Sequence, residues 1–118
     1  MRSEPRKEQD LLTQAYRDFN ARRIDAVLER MHPAVEWTNG MEGGHVHGID
    51  EVRAYWTRQW SMIDPHVEPL GIEQDQAGRF VVEVHQTVRD LKGNVLLEAV
   101  VHHAYRFRDG LIARMDIE

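Results

Sequence analysis

The chain has 118 residues, a formal net charge of −5 and no cysteine. This length favours a single domain over residues 1–118, and the acidic balance argues against nucleic acid as a partner. Without cysteine there are no disulfides, thiol nucleophiles or thiolate metal sites. No apolar run approaches the roughly 20 residues of a membrane span. The charged start MRSEPRKEQD lacks the apolar segment of a secretory signal, so a cytoplasmic protein is expected.

Three helices are predicted in the first half of the chain, because apolar side chains recur there at the spacing of one helical face. They cover residues 11–20, 24–31 and 49–63, and Pro33 stops the second. Residues 34–48 hold a short strand followed by a Gly-rich loop. The three apolar faces consist of Leu12, Ala15, Tyr16 and Phe19, then Ile24, Val27, Leu28 and Met31, then Ile49, Val52, Trp56, Trp60 and Ile63.

Strands are predicted after Pro65, where apolar and polar residues alternate. Pro69 marks an edge strand or a bulge. Helices followed by an antiparallel meander make an α+β arrangement. The predicted strands cover residues 66–75, 79–90, 95–107 and 112–118.

The stretch HHAYRFRDGLIARMD, residues 102–116, predicts a hairpin with Asp109 and Gly110 as a two-residue type I′ loop. Opposed side chains then lie on one face with Cβ atoms about 4.5–5.5 Å apart. A carboxylate at this distance would fix the imidazole tautomer and raise the histidine pKa. A one-residue bulge in the turn would break the pairing. The opposed pairs are Phe107 with Ile112, Tyr105 with Arg114, and His103 with Asp116.

The preceding hairpin extends the same face. A two-residue loop at Gly93 and Asn94 places His103 opposite Val84, whereas a four-residue loop shifts the register by two residues and keeps the faces. The face of His103 is then walled by Val82, Val84, Tyr105 and Phe107, and the helices cover it with Tyr16, Phe19, Trp56 and Trp60. The opposite face, with Thr87, His102 and Arg106, is predicted to meet solvent or a second subunit.

Three segments of the chain resemble the nuclear transport factor 2-like superfamily, in particular its SnoaL-like branch. They are AYRDFNARRIDAVLERMHPAVEWT, HGIDEVRAYW and HHAYRFRDGLIARMDIE, and the resemblance extends from about Leu11 to Glu118. It implies a cone-shaped, curved antiparallel sheet packed on three N-terminal helices, with an apolar pocket and usually a dimer through the sheet. Relatives include ketosteroid isomerase, scytalone dehydratase and polyketide cyclases.

The resemblance also implies roles for individual residues. Tyr16 looks like the oxyanion-hole tyrosine of ketosteroid isomerase, and His103 takes the place of its oxyanion-hole aspartic acid. Trp37 stands where the isomerase has its general base, so classical isomerase activity is not expected. Asp116 and His103 resemble the acid–base pair of SnoaL-like cyclases.

These observations predict a pocket for a small apolar molecule and a homodimer, with no cofactor. In one hypothesis the protein is an acid–base isomerase, cyclase or dehydratase acting on an apolar carbonyl compound, with His103, Asp116 and Tyr16 as catalytic residues. The alternatives are a non-catalytic binding module, or a dimeric interaction domain whose pocket is filled by its own side chains. The predicted ligand-binding residues are Phe19, Trp37, Trp56, Trp60, Val84, Gln86 and Tyr105; ordinary core packing is the competing interpretation of each.

His45 and His47, in GGHVHG, have a spacing that could hold a metal ion. No third ligand is evident near them in the sequence, so no metal site is predicted. A loop at the mouth of the pocket is the favoured interpretation.

Overall fold

The computed structural model of the protein describes residues 5–118. The α+β arrangement with helices toward the N-terminus is confirmed. Residues 1–4 lie outside the described range, so the predicted extent of the domain, 1–118, stays a prediction. The helices are α1 (Pro5–Asn20), α2 (Ile24–Leu28) and α3 (Ile49–Trp60), and the strands are β1 (Met31–Thr38), β2 (His45–His47), β3 (Ile63–Gln74), β4 (Phe80–Asp90), β5 (Val95–Arg108) and β6 (Leu111–Ile117).

All six strands form one sheet in the order β2-β1-β6-β5-β4-β3. The sheet differs from the predicted antiparallel one at a single junction, because β1 runs parallel to β6. A parallel neighbour requires a long crossover connection, and the chain from α3 to the end of β5 supplies it. One extra residue in each of β3, β5 and β6 bends the sheet around the helices.

Helix α1 is attached to the sheet by its C-terminal residues. Asn20 ends the helix as predicted; its Nδ2 donates to the Val67 carbonyl at 2.8 Å and its Oδ1 accepts from the Val67 amide at 3.0 Å. Asp18, only 3% exposed, pairs with Arg30 at 2.6 Å. These contacts hold the apolar face of α1, including Tyr16, against the concave side of the sheet.

The second helix is shorter than predicted. It ends at Leu28, and Met31 is already the first residue of β1, with its side chain buried. Pro33 therefore lies within a strand instead of ending a helix. The pairing of β1 with β6 is irregular between Met31 and Glu36, so the missing N–H of Pro33 costs no ladder hydrogen bond. The short strand β2 was not predicted from the sequence, because three residues are too few to show an alternation of apolar and polar side chains.

Two register predictions are confirmed. Pairing of β3 with β4 shifts between Pro69 and Gly71, which is the predicted bulge. The β4–β5 loop has four residues, and His103 lies opposite Val82, as the longer-loop alternative requires.

The predicted pairing of His103 with Asp116 is wrong. The turn itself forms as expected, with φ of 54° at Asp109 and 77° at Gly110. However, β6 shifts by one residue after Ile112, so Ala104 faces Asp116 and His103 faces Ile117. The predicted register would have turned Arg114 and Asp116 into the apolar interior, and burying charged groups there is costly. The shift sends both charges to the outer face.

Within residues 5–118, no helix is long and apolar enough to cross a lipid bilayer.

Candidate functional site

A cavity lies between the helices and the concave side of the sheet. The space between its lining atoms amounts to about 670 Å³, a figure that includes open solvent at the mouth. Its lining is mainly aromatic and aliphatic. Seven of the predicted site residues line it, namely Tyr16, Phe19, Trp37, Trp56, Gln86, His103 and Tyr105.

Three buried side chains form a hydrogen-bonded chain at the wall of this cavity. Tyr105 Oη lies 2.8 Å from Tyr16 Oη, and Tyr16 Oη lies 2.8 Å from His103 Nδ1. The rings of Tyr16 and His103 are stacked, with an interplanar angle of 14°. The chain links α1 to β5 and therefore depends on the docking of the first helix.

The direction of these hydrogen bonds follows from the buried protons. In the described part of the protein, Tyr105 Oη has no polar partner besides Tyr16. If Tyr16 donated to Tyr105, the Tyr105 proton would be buried without an acceptor, which costs more than an unused lone pair. Tyr105 therefore donates to Tyr16, and Tyr16 donates to His103 Nδ1. The neutral imidazole then carries its proton on Nε2.

Burial keeps His103 neutral. Desolvation, assisted by the neighbouring His102, lowers the pKa of His103 from 6.5 to about 4. The expected rise in pKa is wrong, because a hydroxyl and not a carboxylate holds the ring. Burial raises the pKa of Tyr16 and of Tyr105 above the ordinary value, so both hydroxyls keep their protons. His103 Nε2 has no protein partner among the described residues and remains open to the cavity.

The resemblance implied that Tyr16 donates a hydrogen bond to a ligand. In the structure Tyr16 does not face the cavity as a free donor. Its single proton is used by His103 Nδ1. Its part in the site is to orient the imidazole and fix the tautomer, and the donor presented to the cavity is His103 Nε2–H.

Three predicted site residues lie outside the cavity lining. Trp60 packs behind Trp56, with ring centroids 5.8 Å apart. Val84 is fully buried in the core. Asp116 is on the outer face of the sheet because of the shift in β6.

On that outer face, Asp116 joins a network of charged side chains. Its oxygens accept from Arg114 at 2.8 and 3.0 Å and contact His45 Nε2 at 2.9 Å. Arg114 also donates to Glu36 at 3.1 Å, and Glu36 lies 3.5 Å from His47. Arg114 lowers the pKa of Asp116, and His45 adds to the effect. The network joins β2 and β1 to β6 and is structural.

The pair His45 and His47 therefore contacts carboxylates of neighbouring strands. In the described range, no group of three or more metal-capable side chains is close enough to hold an ion.

Sequence reasoning missed other lining residues, including Tyr55, Gln59 and Met115. The first two had a signal: Tyr55 follows Val52 by three positions and precedes Gln59 by four, so all three share a side of α3. Met115 had none, because only the shift in β6 turns it inward. Among the described residues, no aspartate or glutamate lines the cavity.

A family model described as SnoaL-like domain matches residues 12–115. The chain belongs to the SnoaL-like domain family. No protein of curated function matches this SnoaL-like domain in sequence. The family match and the order of the strands together establish the fold.

Solved structures extend the comparison. TerC, co-crystallised with polyporic acid, is 25% identical, with 95% of this chain and 90% of that chain covered and a TM-score of 0.82. An NTF2-like protein of unknown function from Burkholderia pseudomallei is also 25% identical, with 95% and 89% covered and a TM-score of 0.83. The epoxide hydrolase/cyclase-like enzyme SalBIII is 15% identical, with 97% and 91% covered and a TM-score of 0.80, and its likeness concerns the fold alone.

Proposed function

We propose that this SnoaL-like domain binds a small apolar carbonyl compound in the cavity, with His103 Nε2–H donating a hydrogen bond to its oxygen. The observation that carries the proposal is the chain from Tyr105 through Tyr16 to His103 Nδ1. It leaves one oriented donor in a cavity whose lining is mainly apolar and aromatic. Few, well-placed polar groups in an apolar cavity are typical of small-molecule sites.

The chemistry that fits this donor is stabilisation of negative charge on a carbonyl oxygen. A neutral imidazole N–H can polarise a carbonyl to which it donates a hydrogen bond, and that bond strengthens as negative charge develops on the oxygen. Such a step is common to isomerases, cyclases and dehydratases. Tyr16 acts as a positioning residue, and Trp37 and Trp56 contact the body of the substrate.

Non-catalytic binding is the second candidate, and one observation favours it. Among the described residues no carboxylate lines the cavity, so the cavity wall offers no such base to remove a proton from carbon. Asp116, predicted as the partner of His103, is on the other side of the sheet. We therefore leave Asp116 out of the proposed site.

Similarity to TerC supports a ligand with an aromatic or polyketide-like body, because that protein was co-crystallised with polyporic acid. Polyporic acid is accordingly one of the first compounds to test on this protein.

The binding proposal is tested by thermal shift with polyporic acid, 1-tetralone and cyclic enones on wild type and His103→Ala. A ligand present at a hundredfold excess over Kd stabilises the native state by about 2.7 kcal/mol. We expect at least one compound to raise the melting temperature of wild type and to act more weakly on His103→Ala. If no compound stabilises the wild type, the binding proposal is wrong.

Catalysis is separated from binding by deuterium exchange. The α-protons of bound 1-tetralone exchange with D₂O only if the protein assists enolisation, which NMR follows directly. Exchange faster with wild type than with His103→Ala supports the enzyme. Binding without assisted exchange supports the non-catalytic candidate.

We also propose that two copies associate through the outer face of the sheet, as the resemblance implies. Leu96 and Val100, which lie on that face, are 59% and 53% exposed. On the same face His85 lies 2.9 Å from Glu98, between Leu96 and Val100, and His102 lies 3.8 Å from Glu83, beyond Val100. Large apolar side chains left exposed on one face are one sign of an interaction surface. The cytoplasmic location expected from the sequence stays a prediction.

A further inference from the structure

Tyr55 is a second polar residue of the cavity lining that the proposed function does not use. The residue lies on α3, is 4% exposed and lines the cavity. The Gly40 amide donates to Tyr55 Oη at 3.0 Å. Because a backbone N–H can only donate, the tyrosine oxygen is the acceptor in that bond. The hydroxyl proton of Tyr55 therefore needs another acceptor.

Gln59, one turn further along α3, is the other polar neighbour of this hydroxyl. Its Nε2 donates to Tyr55 Oη at 3.3 Å, and Gln59 also lines the cavity. An amide side chain has two orientations, and either one leaves a donor unused. When Gln59 Nε2 faces the Tyr55 hydroxyl, the Tyr55 proton is free. When Gln59 Oε1 faces it instead, the Tyr55 proton goes to Oε1 and the amide N–H groups are free. The Tyr55–Gln59 pair thus always retains a donor.

The two donor points lie on different walls of the cavity. His103 is on the sheet, in β5, whereas Tyr55 is on α3. Aromatic rings occupy the wall between them: Trp37 lies 6.0 Å from Tyr105 and 5.4 Å from Trp56, centroid to centroid. A ligand that reaches both donors must carry an apolar, ring-like body between its polar ends.

We propose that the ligand is a conjugated dicarbonyl compound, a quinone or a diketone, with one oxygen at His103 Nε2–H and the other at the Tyr55–Gln59 pair. This inference rests on the proposed function, since it uses the same cavity and the same histidine. A lining with donors and no carboxylate also favours ligand oxygens that accept hydrogen bonds or carry negative charge.

The test compares dicarbonyl and monocarbonyl probes by calorimetry or tryptophan quenching. The dicarbonyls are 1,4-naphthoquinone and 1,3-diphenylpropane-1,3-dione, which differ in oxygen spacing, and the monocarbonyl is 1-tetralone. We expect Tyr55→Phe to raise the Kd of at least one dicarbonyl about 5- to 10-fold, the value of one hydrogen bond. The same change should alter the Kd of 1-tetralone less than about twofold, because that ligand uses His103 alone.

Two further variants make the result specific. In Tyr55→Phe, the Gln59 amide can replace the lost hydroxyl as donor to the ligand. Gln59→Leu and the double variant of Tyr55→Phe with Gln59→Leu detect this replacement. Thr57→Ala removes a hydroxyl from the exposed side of the same helix and should change no Kd.

The outcomes separate this inference from the proposed function. If 1-tetralone binding depends on His103 while dicarbonyl binding is unchanged in Tyr55→Phe, Gln59→Leu and the double variant, the two-point inference is wrong and the binding proposal stands. If no probe binds the wild type, the proposed function fails and this inference fails with it.

Discussion

The protonation state of His103 is set by its burial, and the orientation of its ring is set by Tyr16 and Tyr105. A carboxylate partner would have raised the pKa of the imidazole, whereas burial beside Tyr16 lowers it. The ring is therefore a fixed neutral donor at physiological pH. Such a group stabilises charge on a ligand oxygen, but it does not accept a proton readily.

Because the pKa of His103 is lower in the folded protein than in the unfolded chain, the free energy of unfolding decreases as the pH falls. The unfolded chain binds a proton at this histidine below about pH 6.5, whereas the folded chain does so only near pH 4. Stability is thus lost as the pH falls through this window. We expect wild type to lose about 2–3 kcal/mol more than His103→Gln between pH 7 and pH 4.5, measured by urea unfolding.

His103→Gln serves as the reference because it keeps every other ionisable side chain, so the difference between the two proteins isolates His103. Asp116, whose pKa is lowered below 3.8, does not titrate in this window. Equal losses in the two proteins would show that His103 is not buried in its neutral form.

The proton order in the tyrosine chain predicts unequal effects of two hydroxyl deletions. Tyr16→Phe leaves the Tyr105 proton and His103 Nδ1 without partners, so we expect it to lower the free energy of unfolding by about 2–4 kcal/mol. Tyr105→Phe removes only the terminal donor and should cost about 1 kcal/mol.

Urea unfolding gives these energies, and ¹⁵N NMR of the imidazole gives the tautomer. The Nε2–H tautomer should persist in Tyr105→Phe. A smaller loss in Tyr16→Phe than in Tyr105→Phe would contradict the proposed direction of the chain.

At the scale of elements, the one-residue shift in β6 decides which side chains enter the cavity. It places Met115 and Ile117 inward and Arg114 and Asp116 outward. Outside, Arg114 and Asp116 satisfy one another and tie β6 to β1 and β2 through Glu36 and His45. The shift therefore gives the cavity an apolar floor and the sheet a charged outer edge.

Asp116→Asn tests this assignment. We expect it to lower the free energy of unfolding by about 0.5–1 kcal/mol, since the ion pairs it weakens are partly exposed. Ligand Kd should be unchanged, in contrast to His103→Ala. A loss of ligand binding comparable to that of His103→Ala would place Asp116 back in the functional site.

For the whole molecule, the two sides of the sheet serve different purposes. The concave side holds the cavity beneath α1 and α3. The outer side of β5 exposes Leu96 and Val100, with Glu98 between them. A second copy on this side would bury the apolar side chains and leave the cavity mouth free for ligand.

Val100→Glu is expected to convert the proposed dimer to monomer, because it replaces an exposed apolar side chain of the proposed interface with a carboxylate. Light scattering coupled to gel filtration measures the mass. Leu70→Glu is the matched control, since Leu70 is 54% exposed but lies on the edge strand β3. A monomeric wild type, or a dimer that persists in Val100→Glu, would contradict the proposed interface.

The sequence by itself determined what depends on local pattern. The 3.6-residue spacing of Leu12, Tyr16 and Phe19 identified α1 and its buried face, and Asp109–Gly110 identified the last turn. Alternation placed His103 and Tyr105 on one face of β5, and both line the cavity. These features depend on the conformational preferences of a few consecutive residues, so short windows of sequence contain them.

Only the tertiary structure decided the partner of His103. Whether β6 shifts after Ile112 depends on the cost of burying Arg114 and Asp116 and on partners such as Glu36 and His45, which lie far away in the sequence. The contact of Tyr16 with His103 likewise requires α1 to be docked on β5. The register of β6 and the docking of α1 depend on how charged side chains are solvated or paired across the whole fold. The residues of one strand do not contain that information.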